Sequence, residues 1–157
     1  WIRACRGVYR LTKFPVAEHP DMMAWSLWSR DRTDKPQGVY SHETALSFYN
    51  LSDLMPPKLH MTVPPEFRRN AAIPGVLVLH HGRLHDDEIE AVQGFRVTRP
   101  LKAIADVIAA GDISADFLQQ AVSQAVKRGL ISRSKLEAAA RIPDDVKKKI
   151  EDFMRGN

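Results

Sequence analysis

The sequence predicts an α+β protein: a small mixed sheet packed with helices, followed by a helical C-terminal segment and preceded by a short N-terminal β-ribbon. Three observations predict it. Residues 58–63 alternate, with Leu59, Met61 and Val63 on one side and Lys58, His60 and Thr62 on the other, which is the period of a half-buried strand. Residues 38–51 (GVYSHETALSFYNL) and 94–111 (GFRVTRPLKAIADVIAAG) each run from a β-forming stretch straight into an apolar stripe of helical period. Beyond residue 113 the pattern is helical throughout.

Composition sets the bounds. The 157 residues are 44% hydrophobic and 27% charged, enough for one domain with a core of its own. No apolar run approaches the roughly 18 residues that a membrane-spanning helix needs. The single cysteine, Cys5, has no internal partner, which points to a reducing, cytoplasmic setting. The chain opens on Trp1 without a secretory pattern and is read as a piece of a longer protein. Net charge is +4, and it is local. Residues 1–17 hold Arg3, Arg6, Arg10 and Lys13 and no carboxylate, while the remainder balances to zero.

The elements follow in order. Residues 1–4 and 7–11 form two strand pieces, with Val8, Tyr9 and Leu11 as β-formers. Arg3, Arg6 and Arg10 decorate them; a basic ribbon of this kind can lie along a phosphate backbone, and charge alone fits a basic, solvated hairpin equally. Residues 16–20 read as a linker. Residues 21–29 form a helix whose Met22, Trp25 and Trp28 make a core-facing stripe. A charged loop, 30–37, leads to the strand end Gly38–Tyr40.

Ser41 is the expected N-cap of the next helix, with Glu43 on the positive end of its dipole and Ala45, Phe48 and Tyr49 toward the core. His42 and Glu43 form a polar pair at this junction. One reading makes them a catalytic, metal or partner-binding pair; the simpler one is a capped helix start, because neighbouring helical residues do not share a face.

Residues 76–79 are continuously apolar and read as a central strand buried on both faces. Residues 66–70 form a short basic loop or turn in which Arg68 and Arg69 can touch nucleic acid or an acidic partner; the simpler reading is an exposed loop pair. Phe95 and Val97 alternate along the strand 94–98. Pro100 suits the first turn of a helix with Leu101, Ile104, Ala105 and Ile108 inward, ended by Gly111. Ser114 opens a helix that Gly129 stops in a left-handed conformation, with Leu130 following it. Ser132 caps a short helix through Ala140, and Pro143 opens a final one with Val146, Ile150, Phe153 and Met154 on its apolar side.

Four stretches together resemble the AbiEi-like antitoxins, the antitoxin half of type IV toxin–antitoxin pairs. They are RGVYRL at 6–11, GVYSHETALSFYNLSD at 38–53, KLHMTVP at 58–64 and GFRVTRPLKAIADVIAAG at 94–111. The resemblance implies that residues 1–17 are the remnant of the wing of an N-terminal winged helix-turn-helix and that 18–157 are the C-terminal antitoxin domain, with 113–157 its all-helical part. It also implies two partners: operator DNA, held through the winged helix, and a cognate nucleotidyltransferase-like toxin, neutralised through the C-terminal domain. Arg3, Arg6, Arg10 and Lys13 are then the DNA-contacting residues. Where the family pattern carries an Arg-Thr pair after the proline of the fourth stretch, this chain has Lys102 and Ala103, so no role of that pair is carried over.

The expectation is a binding protein and not an enzyme, without cofactor or resident metal. No GxSxG, Walker loop, GxGxxG or HExxH occurs. The alternative is a metal-dependent nuclease or hydrolase built on His80, His81 and His85 with Asp86 or Asp87, joined by His42 and Glu43; imidazoles and carboxylates suit divalent ions. A transcription regulator without a toxin partner is a further alternative.

Overall fold

The computed structural model describes residues 2–5, 8–10, 20–53, 56–68, 72–92 and 94–156. Its centre is a two-residue strand. β3 (Val39–Tyr40) is shorter than either neighbour, yet it pairs antiparallel with β4 (Leu59–Val63) and parallel with β7 (Phe95–Thr98). β5 (Leu77–His81) runs parallel to β4, and β6 (Ile89–Val92) antiparallel to β7, giving the order β5-β4-β3-β7-β6. The fold is thus the α+β arrangement expected, with a mixed sheet. A separate ribbon joins β1 (Ile2–Cys5) to β2 (Val8–Arg10), antiparallel.

Register explains burial. Directly paired residues point to the same face of a sheet, and successive residues to opposite faces. Tyr40 lies opposite both Met61 and Val97, and all three are fully buried. The alternation expected in residues 58–63 is therefore observed, but its polar side is only partly solvated: Lys58 is exposed, whereas Thr62 is only 7% exposed. The apolar run at 76–79 is not a central strand. β5 is an edge strand in which only Leu77 is buried, because it has a strand on one side alone and Val76 lies outside it. The strand β6, unforeseen in the sequence, takes the opposite edge.

α1 (Pro20–Trp28) buries Trp28, whose ring meets Phe67 at 6.0 Å between centroids, and accepts a 2.6 Å hydrogen bond from the Tyr40 hydroxyl on the Met22 carbonyl. Gly38 permits this approach: a Cβ there would lie 2.5 Å from Met61 Sδ and 3.0 Å from Ser29 Oγ. α2 (His42–Phe48) buries Ala45 and Leu46. α3 (Pro100–Ala110) buries Ala103, Ile104 and Val107 and ends on Gly111 at φ 74°. α4 (Ala115–Lys127) ends as expected: Gly129 sits at φ 72°, its N–H donates to Val126, and the Leu130 N–H donates back to Ala125, which satisfies two terminal carbonyls. α5 (Arg133–Ala138) starts on Ser132, whose hydroxyl accepts from the Lys135 N–H. α6 (Asp144–Arg155) closes the core through Val146 and Ile150. Among the described residues no helix is long and apolar enough to cross a membrane.

Candidate functional site

The candidate site forms where β3 turns into α2. His42, the first residue of α2, has φ 54°, a conformation that non-glycine residues seldom adopt and that histidine tolerates better than most. This turn sets aside the helical spacing that would keep His42 and Glu43 apart. Both side chains instead reach the polar side of β4 and β5, where the register places Thr62 opposite His80 and His60 one step along the same face.

Four titratable side chains meet there. Glu43 Oε2 lies 2.8 Å from His60 Nε2. His60 Nδ1 lies 3.0 Å from His80 Nε2. The His42 ring stacks on the His80 ring at 3.7 Å and 13°. The Thr62 hydroxyl donates to Ser41 Oγ at 2.8 Å, which leaves the serine hydrogen to be donated to His42 Nδ1, also 2.8 Å away. Ser41 is thus an N-cap by position only: its hydroxyl makes no capping bond and serves His42 instead. Thr44 is likewise used, its hydroxyl accepting from the His60 N–H at 2.8 Å.

The electrostatics follow from these contacts. The hydrogen bond from His60 holds the Glu43 carboxyl below its ordinary range, against the opposing effect of burial. Burial first, and then the neighbouring His80, push His42 down to about 4, so it is neutral at neutral pH. His80 is lowered too, by burial and then by His60. An ionised Glu43 requires a hydrogen on His60 Nε2. A single hydrogen then occupies the gap between His60 and His80. Ring centroids 5.3 Å apart and planes within 18° mean that the two imidazoles meet head-on, nitrogen to nitrogen. That head-on approach suits a shared proton, which lies along both nitrogen lone pairs.

The set expected around residues 80–88 is not brought together. His81 pairs with Val63 and faces away from His80. His85 precedes a 3-10 turn, Asp86–Glu88, and its backbone N–H donates to the Glu88 carboxylate at 2.9 Å. Asp87 and Glu88 are bound by Arg141. Among the described residues no group of three or more His, Cys, Asp or Glu is placed to hold a metal ion. Arg68 donates to the carbonyls of Pro65 and Phe67 in its own turn. Arg6, Lys13 and Arg69 lie outside the described residues, and for Arg3 and Arg10 only the backbone is described.

Two clefts lie among the described residues. One, of about 280 Å³, is lined by Lys35, Thr62, Glu66, Arg83, His85 and Arg96 among others. The other, of about 750 Å³, lies between the start of α3 and the link from α5 to α6, with Tyr49, Glu88, Arg99, Lys102, Leu130 and Arg141 in its walls. His42, Glu43, His60 and His80 line neither.

The residue that sequence reasoning missed is His60. Its only signal was a histidine on the polar side of an alternating strand, and that side was read as open to solvent. No protein-family model matches this chain, and a search of curated proteins finds no match either.

Proposed function

We propose that this chain is the C-terminal domain of an AbiEi-like antitoxin, acting by binding and not by catalysis. Its partners are then a nucleotidyltransferase-like toxin and, through an N-terminal winged helix, operator DNA. One observation carries the reading. Three stretches that carry the resemblance, far apart in sequence, form one contiguous unit: β3 with α2, β4, and β7 with α3, joined through the pairing of Tyr40 with both Met61 and Val97. The stretches that carry the resemblance therefore pack against one another, which supports reading them as one pattern.

The test is growth rescue. The full-length protein, co-expressed with the nucleotidyltransferase-like product of the adjoining gene, restores growth under this reading. Failure to rescue, with the protein folded, rejects it in favour of a regulator without a toxin.

A second reading, an acid–base enzyme, draws on the Glu43–His60–His80 chain, in which a carboxylate orients one imidazole and that imidazole a second. The same assay separates them. A folded His80→Gln protein still rescues if binding is the mechanism, and fails if proton transfer is.

A further inference from the structure

The His–Glu cluster is the most unusual chemistry in the molecule, and the binding role above makes no use of it. It joins three parts of the chain. His42 and Glu43 come from the start of α2, His60 from β4 and His80 from β5, the edge strand. Every bond in it depends on the number of protons present.

Consider the protons one at a time. With Glu43 ionised and all three histidines neutral, His60 donates from Nε2 to Glu43 and accepts at Nδ1 from His80. One added proton is accommodated with every bond kept. His60 becomes the imidazolium, donates to both neighbours, and the His80 hydrogen moves to its other nitrogen; Glu43 balances the charge. A second added proton has no such place on an imidazole. On His80 it would set two N–H groups head to head across 3.0 Å. On His42 it would put a cation in a buried ring stacked 3.7 Å from His80.

The surrounding charges do not relieve this. Among the described residues Glu43 is the anion in direct contact, and Asp112, after α3, acts on His80 from farther away. Against them stand Lys102 of α3, acting on His42, and His81 of β5, acting on His80. The strained φ of His42 adds a conformational reason to release once the stack opens.

We propose that the Glu43–His60–His80 chain, closed by the stacked His42, is a one-proton latch that holds the β3–α2 turn against β4 and β5 and opens when a second proton enters. The inference stands whether or not a toxin is the partner. Its sign is set by linkage. His42 and His80 bind protons less readily in the folded state than when released, so opening takes up protons and is favoured as pH falls below 6.5, the ordinary histidine value, toward about 4. Glu43, also lowered, adds to acid lability below its ordinary 4.5.

The test uses the full chain, labelled with nitrogen-15 and titrated from pH 8 to 4 while imidazole nitrogens and backbone amide exchange are followed by NMR. The expected result is one proton shared by His60 and His80, with His42 neutral until the pH is well below 6. As His42 ionises, the amides of residues 41–46 lose protection, and the rest of the sheet keeps it. His42→Asn, which tolerates the same backbone conformation and does not titrate, moves this opening to lower pH by about one unit. The proposal is overturned if His42 titrates near the ordinary histidine value, or if it ionises while residues 41–46 stay protected. The wild-type titration decides even if the variant fails to fold.

Discussion

Two threonines show how much a single hydroxyl depends on its surroundings. Thr62 is buried and donates to Ser41, which is thereby oriented toward His42. Thr98 is fully buried, yet its hydroxyl finds no hydrogen-bond partner among the described residues. A buried hydroxyl with a partner contributes about 1 kcal/mol, and one without costs a similar amount or more. The same substitution should therefore act in opposite directions. Thr62→Val is expected to destabilise the fold by about 1 kcal/mol, and Thr98→Val to stabilise it by about 1 kcal/mol. Urea denaturation of the two variants side by side reads both signs. His42 belongs to this scale as well: its left-handed backbone, invisible in residue type, is what lets two adjacent side chains serve one cluster.

At the scale of elements, β3 is the pivot. Two residues make a weak strand, and Val39–Tyr40 persists because both of its edges are used, by β4 and by β7. Its approach to α1 depends on Gly38, where Met61 and Ser29 occupy the space of a side chain. Ser29 also accepts the Gly38 N–H at 2.8 Å, so the two segments are bonded as well as packed. Gly38→Ala should force Met61, itself without exposed surface, out of its rotamer. The expected loss is about 1–3 kcal/mol, the usual cost of overpacking a core, and would appear as a lowered melting temperature. A variant as stable as the parent would show that Met61 has room to move. The turn after α4 makes the opposite point: a glycine and the residue after it close the helix by local bonds alone, and the sequence announced both.

Along the whole chain, the basic excess and the described core residues fall in different stretches of sequence. The C-terminal helices close the hydrophobic core through Leu118, Leu136, Val146 and Ile150. The basic excess of the sequence lies in residues 1–17. Under the proposed function those cations hold DNA phosphates. Neutralising Arg3, Arg6 and Arg10 together in the full-length protein should then weaken operator binding. It should also flatten the dependence of log affinity on log salt by about one unit for each phosphate that is no longer neutralised. An unchanged slope would remove these residues from the interface.

The fold class, most of the elements and several of their ends are legible in the residues alone. These depend on periodicity, on proline and glycine, and on capping residues, all of which act within a few positions along the chain. The sequence marked His42 and Glu43 as a polar pair and placed His60 on the polar side of its strand. That this side gathers four titratable groups follows from long-range packing. The order of strands made the apolar β5 an edge strand, brought His80 beside His60, and sent His81 and His85 elsewhere. Strand order and register arise from contacts between residues far apart in the chain, such as Tyr40 with Val97 and His60 with His80, set by competition among whole surfaces for burial, and no local pattern encodes the outcome of that competition.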